Sequence, residues 1–325
     1  MGISACMIVR DEERVLARCL RSFAGAFDEL NIVDTGSSDR TPAIAAQFGA
    51  RLRSFTGCNG ADGRIQDFSL ARNVSCDQAT HGFILWMDAD DVLQQGGAAG
   101  YRAHASRGDF AGLSTSIRWA ESTWLQTRLF KNEPRNRFHG RIHEYPLVHG
   151  KVIEDRSIRV EHLPDKTGKE GSNERNLRLC EFEARENPAD THAQFYYANS
   201  LRIAGRHDEA ILRYTQHLAL GGGFHCERYM AAYFLAVSLF CQGRWDDCIQ
   251  AGLRALRIDP RYAETHCLIA DCQGELNQYE YARQWYRSAL ACGGPPPDAI
   301  LFVEQAKYDE YPRSGIEICE RKLQG

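Results

Sequence analysis

Three stretches in the second half of the chain share one register: YYANSLRIAGRHDEAILRY, YFLAVSLFCQGRWDDCIQA and CLIADCQGELNQYEYARQW. Ala198, Ala236 and Ala270 coincide, as do Gly205, Gly243 and Asn277, and then Ala210, Cys248 and Ala282. The last two units are offset by 34 residues; the first gap is 38, and the extra four match the insertion GGGF at 221–224. A small residue, a turn residue and a second small residue at a fixed spacing describe two helices that pack closely around a tight connection. No single pair can bury its apolar face alone, so such units must stack, which fixes the architecture of this half of the chain.

The period and the placement of the small residues resemble the tetratricopeptide repeat, including the Asp259-Pro260 that closes the second unit. The helical rhythm begins near residue 176, and the polar, glycine-containing segment VEHLPDKTGKEGSNERN at 160–176 separates it from what precedes. The expected organisation is an α/β domain over residues 1–165, a linker and first helix over 166–185, and a helical repeat domain over 186–325.

The first half has a different rhythm. ISACMIV at 3–9 and LNIVD at 30–34 are short apolar runs rich in β-branched residues, each followed by a polar turn and a helix-period stretch. In EERVLARCLRSF, Val15, Leu16, Cys19, Leu20 and Phe23 fall on one helical face; RTPAIAAQFGA is closed by Gly49. ILWMD at 84–88 reads as a further central strand. Alternating strands and helices predict a mainly parallel sheet covered by helices, with ligands bound beyond the carboxyl ends of the strands.

Three constellations fall at those ends. In VDTGSSDRT, Asp34 closes a strand, Gly36 permits a tight turn, Ser37 or Ser38 with Asp39 would cap the next helix, and Pro42 suits its first turn. Capping accounts for Asp39 and Thr41 but leaves Asp34 at the lip of the sheet, where it would accept hydrogen bonds from a base or ribose. In ILWMDADDVL, an apolar strand runs into Asp88-Ala89-Asp90-Asp91. Like charges so close repel, and a divalent cation shared with diphosphate oxygens is one reason for them to coexist; the other is a cap on a helix starting near Val92. The third is TRLFKNEPRNRFHGRIHEYPLVHG, 127–150. His139 and His143 have the spacing of a helical zinc pair, but Gly140 and Pro146 speak against a helix there. Arg128, Lys131 and Arg141 are candidates to receive a diphosphate, and His143-Glu144 to supply a ligand or base.

Composition narrows the class. A net charge of −4 gives no basic footprint of a dedicated nucleic-acid binder. Twelve cysteines without a CxxC pair read as reduced thiols in a cytoplasmic protein. ISACMIV follows the start without a basic leader, and the longest apolar run, MAAYFLAVSLFC at 230–241, is too short for a bilayer; neither a signal peptide nor a transmembrane segment is expected.

Taken in order, CMIVRDEERVLARCLRSF, NIVDTGSSDRT, FSLARN, WMDADDVL, RLFKN and GRIHE resemble the family 2 glycosyltransferases of the GT-A fold, over residues 3–163. With the repeats, the chain is similar to bacterial and phage-type glycosyltransferases, among them bacteriocin peptide glycosyltransferases, whose repeats assist dimerisation or acceptor docking. The resemblance implies a UDP-sugar donor and a Mn²⁺ or Mg²⁺ ion. It places Val9, Arg10 and Glu12 at the nucleotide edge, Asp34 at the base, and Gly36 and Ser37 in the nucleotide turn. Arg72, Arg128 and Arg141 would lie near the diphosphate, Asp88 and Ala89 at ribose or metal, and Asp90 on the metal with His162 as a further ligand. Glu144 is the expected general base, with Asp91 behind it. Direct displacement would invert the anomeric centre, the acceptor being a hydroxyl or thiol of a peptide, a saccharide or a modified base in DNA. A nucleotidyltransferase would need a Gly-rich N-terminal loop that this chain lacks, and a non-catalytic repeat scaffold predicts a damaged acidic site.

Overall fold

The computed structural model describes residues 2–120, 122–165, 167, 171–297, 299 and 303–324, and the chain divides into two compact units, Met1–Glu170 and Gly171–Gly325. In the first unit the buried runs become the central strands β1 (Ile3–Val9), β2 (Glu29–Asp34) and β4 (Phe83–Met87), with the short, exposed β3 (Arg51–Ser54) at one edge. These four are mutually parallel, in the order β3-β2-β1-β4. The interleaved helices α1 (Leu16–Ser22), α2 (Thr41–Gln47) and α3 (Phe68–Cys76) are short. Val15, Leu16, Cys19, Leu20 and Phe23, the predicted apolar face, are all buried.

Beyond β4 the sheet becomes mixed. β7 (Ser122–Lys131) runs antiparallel to β4 and to β6 (Gly112–Trp119); β10 (Val152–His162) runs parallel to β6 and antiparallel to β5 (Asp91–Leu93) at the far edge. The helix expected to begin near Val92 is therefore a three-residue strand, with Asp91 opposite His162. The next helix, α4 (Gly97–Arg107), starts five residues later after Gly96 in the left-handed region. β8 (Arg137–His139) and β9 (Tyr145–Leu147) form a separate hairpin, so His139 and His143 share no helix.

Successive residues of β4 point to opposite faces. Phe83, Leu85 and Met87 enter the main core with Leu16, Leu20 and Phe23, whereas Ile84 and Trp86 pack with Cys6, Cys76, Phe130 and Phe138 in a smaller cluster.

The second unit is helical. After α5 (Ser172–Glu186) come the pairs α6 (Thr191–Ile203) with α7 (His207–Leu220), α8 (His225–Cys241) with α9 (Trp245–Ile258), and α10 (Ala263–Glu275) with α11 (Tyr279–Ala291), then a 3₁₀ turn at Gln305–Tyr308 and α12 (Glu310–Gln324). All six small residues of the repeat register have 0% exposure, so the pattern marks the helix contacts. The three turn residues have φ of +74° (Gly205), +68° (Gly243) and +59° (Asn277). Each pair is joined by the same closing bond, from the amides of Arg206, Arg244 and Gln278 to the carbonyls of Leu201, Leu239 and Gln273. That bond requires a left-handed residue, which glycine adopts freely and asparagine tolerates.

Candidate functional site

At the carboxyl ends of β1 and β2, Val9 pairs with Asp34 in parallel register, and both are buried. Asp34 is 7% exposed, less than a carboxylate on an open lip would be, and both its oxygens accept the amide of Ser37 at 3.1 and 3.3 Å. Gly36 makes that turn at φ +111°, where a side chain would be strained. Ser37 does not cap α2: its hydroxyl accepts the amide of Asp11 at 3.0 Å, while Asp39 takes the amides of Thr41 and Glu13. Asp11 has φ +52° and returns its carboxylate to the amide of Ser38 at 2.7 Å. The loops after β1 and β2 are thus stitched together, with the amide of Glu12 donating to Thr41. Arg10 reaches across to the carbonyl of Gly63 at 2.6 Å. This role of Asp11 was not foreseen; the signal was a short acid two residues after a strand, one of the few residues that accepts a left-handed backbone.

One strand over, β4 delivers the acidic run. Asp88 pairs with Arg72 of α3 at 2.7 Å, and Arg72 also donates through Nε to Glu144 at 2.6 Å. A single guanidinium therefore bridges the end of β4 and the turn before β9. Arg128 of β7 pairs with Asp91 at 2.9 Å and approaches Asp88 at 3.6 Å. Asp91 is fully buried: it accepts the Asp88 amide at 2.9 Å and faces His162 Nδ1 at 3.2 Å. Asp90 Oδ1 lies 3.3 Å from the same nitrogen. Ala89 between them is buried. One ligand atom each of Asp88, Asp91 and His162 lies within 4.8 Å of the others.

Two expectations change here. Arg128, expected to receive a diphosphate, is 2% exposed and turned onto the carboxylates instead. Asp91, expected behind Glu144 as a base, lies at the bottom of the cluster with its oxygens engaged. In the mutual 4.8 Å group it also takes the place expected for Asp90. Arg141 is half-buried, 3.9 Å from Asp67.

The electrostatics follow from this packing. Burial would raise Asp88, but Arg72 and Arg128 outweigh it and hold its carboxyl at about 2. Asp90 is pushed up, first by burial and then by Asp88 beside it. Glu144 is also pushed up by burial, against the pull of Arg72. His162 is raised: burial disfavours its charge, but Asp91, Asp90 and Asp88 together favour it more.

Two carboxylates and an imidazole within 4.8 Å are an oxygen–nitrogen donor set that suits a divalent first-row ion such as Mn²⁺. Burial and the neighbouring Asp88 disfavour the charge on Asp90, which His162 faces at 3.3 Å, and a divalent ion would offset that repulsion, so the residues present fit one.

Residues 4–165 match glycosyl transferase family 2. This unit is a family 2 glycosyltransferase domain. A TPR repeat-containing protein of Synechococcus elongatus is 31% identical to the chain over 274 residues, 78% of this chain and 66% of that protein. The prophage-derived glycosyltransferase SunS of Bacillus subtilis is 24% identical over 227 residues, 64% of this chain and 51% of SunS. The chain thus spans about two thirds and about half the length of these two relatives. Among solved structures, a MamA fragment from Desulfovibrio magneticus RS-1 is 16% identical with a TM-score of 0.36, over 47% of this chain and 83% of that one. Among the described residues no helix is long and apolar enough to cross a membrane.

Proposed function

We propose that the chain is an inverting, divalent-metal-dependent glycosyltransferase that moves a hexose from a UDP-sugar to a hydroxyl or thiol of an acceptor. The observation that carries this reading is Arg72, which joins a metal-binding carboxylate, Asp88, to a buried carboxylate of raised proton affinity, Glu144. The uracil and ribose lie along the stitched loops of Val9, Arg10, Glu12, Asp34, Gly36 and Ser37. Asp88, Asp90 or Asp91, and His162 hold the ion, which when bound supplies positive charge to the diphosphate leaving group.

Glu144 accepts the acceptor's proton as the acceptor oxygen or sulfur attacks the anomeric carbon. The bond from that carbon to the UDP oxygen breaks with its electron pair leaving on UDP, and the configuration inverts. Arg72 holds Glu144 in place and stays paired with Asp88, so the base and the donor site keep one geometry. Asp91 and Arg128 are positioning groups beneath them. The helical unit presents a polymeric acceptor or a second copy of the chain, and the protein works in the cytoplasm. An intact set of acids at the strand ends supports catalysis over a retired scaffold.

Calorimetric titration of UDP, GDP and CDP, with and without Mn²⁺, on wild type, Asp90→Ala and His162→Ala tests the donor site. Metal-dependent binding of UDP, weakened at least tenfold in both variants, is expected. No binding of any nucleotide in either condition would sink the reading.

A further inference from the structure

Trp86 is 3% exposed on the central strand, two residues before Asp88, and it has no place in the chemistry above. Its indole nitrogen donates to the carbonyl of Thr127 at 2.6 Å, which fixes the ring against β7. Two guanidinium groups lie over that ring, Arg128 at 3.9 Å and Arg72 at 4.5 Å from its centroid. Phe138, edge-on to the indole at 5.4 Å, carries Arg72 as well, at 5.5 Å.

Both arginines are more than nine-tenths buried. Burying a charge is costly unless each of its donors is satisfied. Arg72 spends Nε on Glu144 and Nη2 on Asp88, and its Nη1 has no hydrogen-bond partner among the described residues; neither has Nε of Arg128. An aromatic face is a further source of stabilisation for such groups where water is excluded. An aliphatic side chain would fill the same space without it.

We infer that Trp86 is a positioning residue for the transfer site: its indole holds Arg72 and Arg128 side by side, and through Arg72 fixes Glu144 relative to Asp88. The groups that face Glu144 are Arg72 from α3 and Asp88 from β4. If Arg72 moves off the ring, its bonds to Glu144 and Asp88 no longer hold the two carboxylates in one geometry. This role rests on the proposed transfer reaction only where activity is read.

The test compares full-length wild type, Trp86→Phe and Trp86→Leu, with Arg72→Lys to assign the signal. The Nε–Hε group of Arg72, bonded to Glu144 beneath the indole, should give a slowly exchanging resonance shifted by the ring. In Trp86→Leu that resonance should vanish or exchange at least tenfold faster, and in Trp86→Phe it should persist. With UDP-glucose and Mn²⁺, kcat of donor hydrolysis should fall at least tenfold in the Leu variant with KM little changed, and return towards wild type in the Phe variant. A Leu variant that loses only thermal stability, with the Arg72 resonance and kcat unmoved, would show Trp86 to be core filling and overturn the inference. If wild type neither binds UDP nor hydrolyses its sugar, the transferase reading fails, and the Arg72 resonance still decides the role of Trp86.

Discussion

At the scale of single residues, the site is a buried charge network in which two arginines are shared among three acids. Glu144 is its chemically distinctive member. Burial raises its proton affinity, so the deprotonated form that the proposed base role requires is lost as pH falls through a value above the ordinary 4.5. The acid limb of kcat/KM should therefore lie above that value, and Glu144→Gln should remove it while lowering kcat by roughly 10²–10⁴-fold. UDP affinity should change little, as calorimetry would show; a comparable loss of UDP binding would make Glu144 a donor-site residue rather than the base. Arg128 makes the opposite kind of prediction, on stability. Arg128→Ala leaves Asp91 buried beside Asp88 without its closest cation, and should cost roughly 3–5 kcal/mol in urea denaturation at neutral pH. A loss under about 1 kcal/mol would mean that water or His162 takes over the pairing that Arg128 makes. That the acidic run from Asp88 follows a central strand was legible in the sequence, because an apolar run leads straight into it. Burial of Arg128 and Asp91 was not, since an arginine in a β-strand and an acid after a strand both read as surface residues until their partner strands are known.

At the scale of elements, what decides the site is how β10 crosses back to β5. The strand carries Asp155 at one place and His162 at its end, opposite Asp91. A sequence pattern signals a strand but not its partner, so the pairing that makes Asp91 the start of an edge strand rather than a helix cap could not be read from residues 88–93 alone. Asp155 is the fastening point of α4 on this strand. It takes His104 Nε2 at 2.9 Å and the Ser157 hydroxyl at 2.5 Å, and these, led by Ser157, hold its carboxyl at about 2 against an ordinary 3.8. A depressed folded-state value means stabilisation that is complete above the ordinary value and lost as pH falls from about 4 towards 2. Asp155→Asn should cost roughly 1–2 kcal/mol at pH 6, and the difference from wild type should shrink to nothing near the lower end of that window. Urea midpoints measured at several acid pH values would show this; a difference independent of pH would assign the loss to packing.

At the scale of the whole molecule, the chain joins two units that meet the same physical demand in different ways. The first buries a central sheet under short helices; the second repeats one small contact, Gly252 of α9 showing how tight it is, since a Cβ there would stand 2.8 Å from Cγ1 of Ile269. The repeat was the most legible part of the fold because three units, offset by 38 and 34 residues, make the same requirement in one register, and chance does not. The start of the second unit at Gly171 was harder to see, as α5 lacks the small-residue register of the pairs that follow. Since each unit has its own core, each should fold when expressed alone. The chain cut before Gly171 should give a helical second unit with a single cooperative melt and a first unit that keeps UDP affinity within about threefold, because every residue assigned to the donor site lies before that cut. Transfer should separate from binding. The isolated first unit should hydrolyse donor or glycosylate small acceptors at a rate close to that of the full chain, while transfer to a polymeric acceptor falls at least tenfold if the repeats present it. Equal rates on small and polymeric acceptors in both forms would place acceptor recognition within the first unit and leave the repeats to self-association, which sedimentation of the second unit alone would then reveal.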